Sequence, residues 1–227
     1  MNDTALITGG TGGLGTAVVA AFVADGWRVV GPVRPGGARE LRPGVEAVEA
    51  DLLDAVDVQR VVGIAAGEPA RPLRALVNLV GGYAGGTPLE DLSLKDFDAQ
   101  LTLNLHPTFL AVSTALPHLR AAAPAAIVCV SSRAAVKPFA GAAGYITAKA
   151  AVIAFARAVA AETTVDGVRC NVVLPSVIDT PANRAAQPGA DRSAWVAPER
   201  IADVIRFLCS SESQPMSGAA LPVYGSG

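Results

Sequence analysis

Thr8-Gly9-Gly10-Thr11-Gly12-Gly13-Leu14-Gly15 follows the short apolar run Ala5-Leu6-Ile7 and precedes an apolar stretch from Thr16 to Asp25. A glycine cluster so placed joins a strand to a helix. Gly9 permits a tight turn, Gly13 lets the backbone approach a pyrophosphate, and Gly15 allows close helix–strand packing. Thr11, Gly12 and Leu14 complete the loop, and the free N–H groups of the following helix face the phosphates with its dipole behind them. The context is that of a nucleotide site opening a βαβ series. No Gly-Lys-Ser or Gly-Lys-Thr follows, which excludes a P-loop triphosphatase.

Outward from the loop, short β-branched runs alternate with longer Ala-rich stretches. Strands are predicted at Ala5–Thr8, Arg28–Val33, Val45–Ala50, Arg74–Val80, Ala125–Val130, Val168–Val173 and Ala220–Val223. Helices are predicted at about Leu14–Asp25, Leu53–Ala65, Leu94–Leu119, Tyr145–Thr164 and Pro198–Cys209. The fold class is therefore α/β, a doubly wound, mostly parallel, seven-stranded sheet with helices on both faces, in one domain over residues 1–227. Two places break the rhythm. The stretch from Pro35 to Gly44 is a turn-rich link, and Pro181 to Pro198 is a polar surface loop placed to act as a lid.

The chain has 227 residues, 51% apolar and 17% charged, enough to bury a sizeable core. Eighteen basic against twenty acidic residues give a net charge of -2, no footprint for nucleic acid. The start carries no basic leader, and the longest unbroken apolar run, Ala17 to Ala24, is far short of the ~20 residues that span a bilayer. Cys129, Cys170 and Cys209 show no metal spacing and read as reduced core thiols, so a cytoplasmic location is expected. His106 and His118 have no clustered partners.

The chemistry concentrates later in the chain. Tyr145 and Lys149 stand at i and i+4 of a predicted helix, on one face. A free phenol has a pKa near ~10; a neighbouring ammonium favours the phenolate, lowers that value and makes Tyr145 a general acid for carbonyl reduction and a base for the reverse. Only three lysines occur against fifteen arginines, so a lysine at that spacing stands out. Ser131-Ser132 ends the fifth strand, at the carboxyl edge where open α/β sheets bind ligands, and a serine hydroxyl there can donate to a developing oxyanion. Near the end of the second strand an acid would hold a ribose 2′-hydroxyl and an Arg would accommodate a 2′-phosphate; Arg34 follows Val33 here, which favours NADP over NAD.

Taken together, the T-G-x-x-x-G-x-G loop from Thr8 to Gly15, Ser132, Tyr145 and Lys149 resemble the short-chain dehydrogenase/reductase family over nearly the whole chain. The resemblance implies an NAD(P)-dependent oxidoreductase acting on a small carbonyl or alcohol, assembled as a homodimer or homotetramer through Leu94–Leu119 and Tyr145–Thr164. By its separation from Tyr145 it makes Ser132 the donor and leaves Ser131 structural, and it makes Asn104 the helix asparagine that anchors a water relay to Lys149. It places Asn78, Val80 and Gly81 at the cofactor, and Pro175, Ile178 and Thr180 around the nicotinamide carboxamide. It also brings Asp51, with Leu52, to the adenine amino group; a helix N-cap is the alternative for Asp51. Val80 to Gly86 and Leu174 to Arg184 are further similar to the dihydropteridine reductases, a divergent branch of the family. Ser132 and the missing acid at Val33 depart from that branch and favour ordinary carbonyl chemistry. Tyr83, Ala134, Phe139 and Trp195 are the expected pocket walls, suited to an apolar ketone. Arg133, Lys137 and Arg184 are expected to be solvated.

Overall fold

In the computed structural model, which describes residues 3–34, 36 and 44–225, β1 (Thr4–Thr8) is buried along its whole length. Successive strand side chains point to opposite faces, so Ala5 and Ile7 enter one core and Leu6 the other. A strand buried on both faces needs a helical layer on each side. Leu6 meets α2 (Ala55–Ala66), α4 (His106–Ala121) and α5 (Ala143–Thr163). Ala5 and Ile7 meet α1 (Gly15–Ala24) and α7 (Pro198–Cys209). The same division runs through β2 (Arg28–Val33), β4 (Leu73–Asn78), β5 (Ala125–Val130) and β6 (Val168–Pro175). The outer strands are β3 (Val45–Glu49) and β7 (Ala220–Val223).

The sheet order is β3-β2-β1-β4-β5-β6-β7, and every pairing is parallel, so the expected mostly parallel sheet is parallel throughout. The chain moves outward from β1 to β3 and then returns to place β4 on the other side of β1. That reversal opens a crevice beyond the carboxyl ends of β1 and β4, the general ligand position of such sheets. Thr8 closes its floor: its hydroxyl and its carbonyl each accept from the Leu79 N–H at 3.3 Å.

Two predicted elements are corrected. The helix expected over Leu94–Leu119 is two helices, α3 (Leu94–Asn104) and α4, which meet at Leu105. Pro107 is the cause: it has no N–H for the preceding turn and fits the first turn of a new helix. The polar stretch after Pro181 begins with a short helix, α6 (Pro181–Ala186), whose Asn183 N–H donates to the Thr180 hydroxyl. Thr at the N-cap followed by Pro at N1 is a helix start signal. The link from Pro35 to Gly44 lies, apart from Gly36 and Gly44, outside the described residues.

The tightest backbone approach in the fold is at the glycine loop. A β-carbon on Gly15 would strike the Gly9 carbonyl oxygen and lie 2.7 Å from the Gly10 Cα. Gly63, in the exposed face of α2, has open space where a β-carbon would go. Gly15→Ala is therefore expected to cost about 1–3 kcal/mol, as overpacking does. Gly63→Ala should add roughly 0.5–1 kcal/mol of helix stability. Thermal unfolding of the two variants checks this, the first melting below and the second above the parent.

Candidate active site and nucleotide cleft

Gly9 turns the chain at φ +72°, and a β-carbon there would press on the Leu79–Val80 backbone at 3.1 Å. The loop then folds on itself through a 3.0 Å bond from the Gly12 N–H to the Gly9 carbonyl. Leu14 stands at the N-cap of α1 and offers no oxygen, so the first-turn N–H groups have no side-chain cap. Gly9, Thr11, Gly12, Arg34, Asp51, Leu52, Val80 and Gly81 line one cleft of about 710 Å³. Val33 lines it too, whereas the further walls Pro32, Ala50, Leu53, Leu79, Leu103 and Pro107 were not singled out by the sequence. Most are plain apolar residues with no local signature; Pro107 alone carried one, the helix break.

Three expected cofactor residues are placed differently from the cleft surface. Leu14 and Gly15 are buried beneath the loop. Asn78 is buried under the cleft, its amide 3.8 Å from the Cys129 sulfur and its carbonyl oxygen without a hydrogen-bond partner. Gly13 abuts Thr180, whose Cγ2 lies 2.6 Å from where a β-carbon would stand. Asp51 is not the N-cap of α2. Asp54 holds that place, accepting from Val56 and Asp57, while Asp51 accepts from the Leu53 N–H at 2.9 Å.

Gly81 is where the cleft meets the polar side chains of α3 and α5. A β-carbon there would lie 2.6 Å from Asn104 Oδ1 and 2.8 Å from Lys149 Nζ. Asn104, the last residue of α3, is buried and holds Gly82 from both sides. Its Oδ1 accepts from the Gly82 N–H at 3.1 Å, and its Nδ2 donates to the Gly82 carbonyl at 3.0 Å. Lys149 is only 5% exposed; its Nζ donates to the Val130 carbonyl at 3.2 Å, and burial lowers its pKa to about 8. Ser131, as expected, is structural: its hydroxyl donates to the Lys149 carbonyl at 2.7 Å.

Ser132 leaves β5 in extended conformation, and its hydroxyl accepts from the Ala134 N–H at 3.1 Å. That acceptance leaves the hydroxyl hydrogen available for donation. The Ser132 hydroxyl is also near enough to the Tyr145 phenol to favour its charged form. Here one expectation is corrected. The Tyr145 pKa is raised, not lowered: burial disfavours the phenolate more than the contact with Ser132 favours it, and neighbouring Tyr83 adds to the rise. The Lys149 ammonium is turned to the Val130 carbonyl instead.

On the far side, β6 ends at Pro175, and the following chain bends under α6. The Ile178 carbonyl accepts from the Thr180 N–H at 2.9 Å and from Asn183 Nδ2 at 2.8 Å, which occupies its lone pairs. Thr180 Oγ1 accepts from the Asn183 N–H at 3.2 Å and keeps its own hydrogen. Among the expected walls, Tyr83 and Phe139 gather near Tyr145, whereas Trp195 carries the Arg192 guanidinium 5.6 Å over its ring. Two of the three cations expected to be solvated have partners: Arg184 forms a bidentate pair with Asp179, and Arg133 lies 5.0 Å over the Tyr224 ring.

Comparison with known proteins agrees with this architecture. A family model described as short chain dehydrogenase matches residues 3–191. D-threitol dehydrogenase of Mycolicibacterium smegmatis is 31% identical over 97% of this chain and 91% of its own length. The 2-(R)-hydroxypropyl-CoM dehydrogenase of Xanthobacter autotrophicus is 29% identical over 99% of this chain and 98% of its own. Among solved structures, a blue fluorescent protein from a metagenomic library, in complex with NADPH, superposes with a TM-score of 0.86. It is 26% identical and covers 99% of this chain, which covers 98% of it. With one sheet order, one cleft and a match over most of its length, the chain belongs to the short chain dehydrogenase family.

Proposed function

We propose that the protein transfers hydride between NADP(H) and a carbonyl/alcohol pair, with Tyr145 as the general acid and base. The observation that carries this reading is the convergence of Asn104 and Lys149 on Gly81 at the cleft, with Tyr145 one helical turn before Lys149 and the Ser132 hydroxyl near its phenol. A dinucleotide fits the residues present: Gly9 and Gly12 of the glycine loop line the cleft with Arg34, Asp51 and Gly81, and α1 begins beside it with no side-chain cap. When bound, its nicotinamide would supply or accept the hydride.

The residues around it then have distinct work. Ser132 donates to the substrate oxygen as negative charge develops. Tyr145, a phenol whose burial favours its protonated form further, delivers the proton in the direction of reduction. Lys149 faces the ribose hydroxyls as a compact donor, and Asn104 keeps Gly82 and the end of β4 in register with it. At the carboxamide end, the Ile178 N–H and the Thr180 hydroxyl hydrogen are the groups left to engage a ligand. At the other end, Arg34 is exposed on the cleft wall after Val33, and a structural relative carries NADPH; both favour a 2′-phosphate. Asp51 lies on the same wall, toward an adenine. The same reading includes a homodimer or homotetramer through α3, α4 and α5, where half-exposed Phe109 meets Phe155 edge-on.

Oxidation of NADPH in the presence of a panel of ketones tests the reaction. Tyr145→Phe should lower turnover by roughly 10²–10⁴-fold, the usual contribution of a positioned acid. Cofactor affinity should stay unchanged, and an active Tyr145→Phe enzyme would overturn the mechanism. Arg34→Ala should weaken NADPH about tenfold or more, in line with the ~1.5–3 kcal/mol of a charged hydrogen bond, and leave NADH unaffected. Calorimetric titration with both cofactors reads that difference. In the pH profile, carbonyl reduction should decline above about pH 8, where the Lys149 ammonium loses its proton. Lys149→Met should lower the rate throughout and abolish that limb; a limb that persists would assign it to another group.

A further inference from the structure

Between β4 and α3, the segment Gly81-Gly82-Tyr83-Ala84-Gly85-Gly86 is fastened at both ends. At its start, Asn104 holds Gly82 by two hydrogen bonds, and a β-carbon on Gly82 would lie 2.9 Å from the Leu103 side chain. At its end, the Gly86 N–H donates to the Gly141 carbonyl at 2.7 Å. Gly86 and Gly141 both adopt positive φ, +98° and +79°, and a β-carbon on Gly141 would touch Gly86 backbone at 3.4 Å. Gly85 lies beneath the hydroxyl end of Tyr83, so close that no β-carbon fits between them. The strap is thus closed onto the residues just before α5, and its glycines are needed for that closure.

What the strap presents is one aromatic ring. Tyr83 stands edge-on to Tyr145, with centroids 5.1 Å apart and planes at 89°. Phe139, from the segment that ends at Gly141, lies 6.4 Å from Tyr83 at 47°. Tyr83 is 61% exposed and Phe139 51%, so little of either ring contributes to a core. Large aromatic surface that is held in place yet left open, beside the proposed proton donor, is surface offered to a ligand.

We propose that Tyr83 is a specificity-determining residue, and that with Phe139 it forms a seat for a flat aryl group borne by the carbonyl carbon. The inference deepens the function proposed above and rests on it. With the substrate oxygen at Ser132 and Tyr145, Tyr83 offers its substituent an exposed ring edge-on to the Tyr145 phenol, and Phe139 extends that surface. Flat rings gain from stacking geometry beyond the area they bury; a saturated ring of the same size gains from area alone. Selectivity for aryl over alkyl ketones follows from Tyr83.

The test is calorimetric binding of acetophenone and of cyclohexyl methyl ketone to the protein saturated with oxidised cofactor. The two probes have equal carbon counts and differ in flatness. The parent protein should prefer acetophenone by about 3–10-fold, the size expected for one aromatic pair. Tyr83→Phe should keep that ratio, and Tyr83→Leu should bring it close to one without altering cofactor affinity. A parent ratio near one, or a ratio that survives Tyr83→Leu, overturns the proposal. NADPH consumption is followed separately. If acetophenone binds in this manner and no ketone is turned over, the seat stands and the proposed reaction falls.

Discussion

Everything in the site depends on a reciprocal tie between the end of β5 and the first turns of α5. The Ser131 hydroxyl donates to the Lys149 carbonyl, and the Lys149 ammonium donates back to the Val130 carbonyl. Both partners are buried, so neither bond competes with water, and losing one would leave a buried polar group unsatisfied. The tie fixes the distance and rotation of α5 relative to the strand. It thereby positions Ser132, the next residue along, and Tyr145, one helical turn before Lys149. A serine with no proposed contact to substrate is in this sense what holds the serine and the tyrosine that have one.

The parts of the fold that were legible in the sequence are those whose cause is local. The near-continuous apolar runs of β5 and β6 required cover on both faces, and the two helical layers supply it. Gly9 and Gly15 announced a turn and a close approach, and both occur. Pro107 was equally local, and giving its missing N–H full weight would have divided the long helix. So would Thr180-Pro181 have marked the start of α6. At α2 three candidate acids, Asp51, Asp54 and Asp57, crowd one helix start, and spacing alone does not select the cap.

The environment of Tyr145 was not legible, because it is made by distant segments. Spacing correctly put Tyr145 and Lys149 on one helix face, but the balance between burial and charge depends on what covers that face. Tyr83 comes from the strap after β4, and Lys149 is drawn away by the carbonyl of a residue on β5. Both effects favour the neutral phenol. Likewise, nothing near Asn104 in the chain suggests that it would grip Gly82, since the pairing exists only once α3 lies beside β4.

The buried amine of Lys149 has an energetic corollary. Holding its pKa at about 8 instead of 10.5 means that the folded protein carries the charged amine under tension, on the order of 3 kcal/mol below neutral pH. One backbone carbonyl is too little hydration for an ammonium, which has three donors to satisfy. A guest that arrives with hydroxyl oxygens at this point relieves the tension, and that relief adds to its hold on the protein. The amine is in effect a spring set during folding and released by the first polyhydroxylated ligand to reach it.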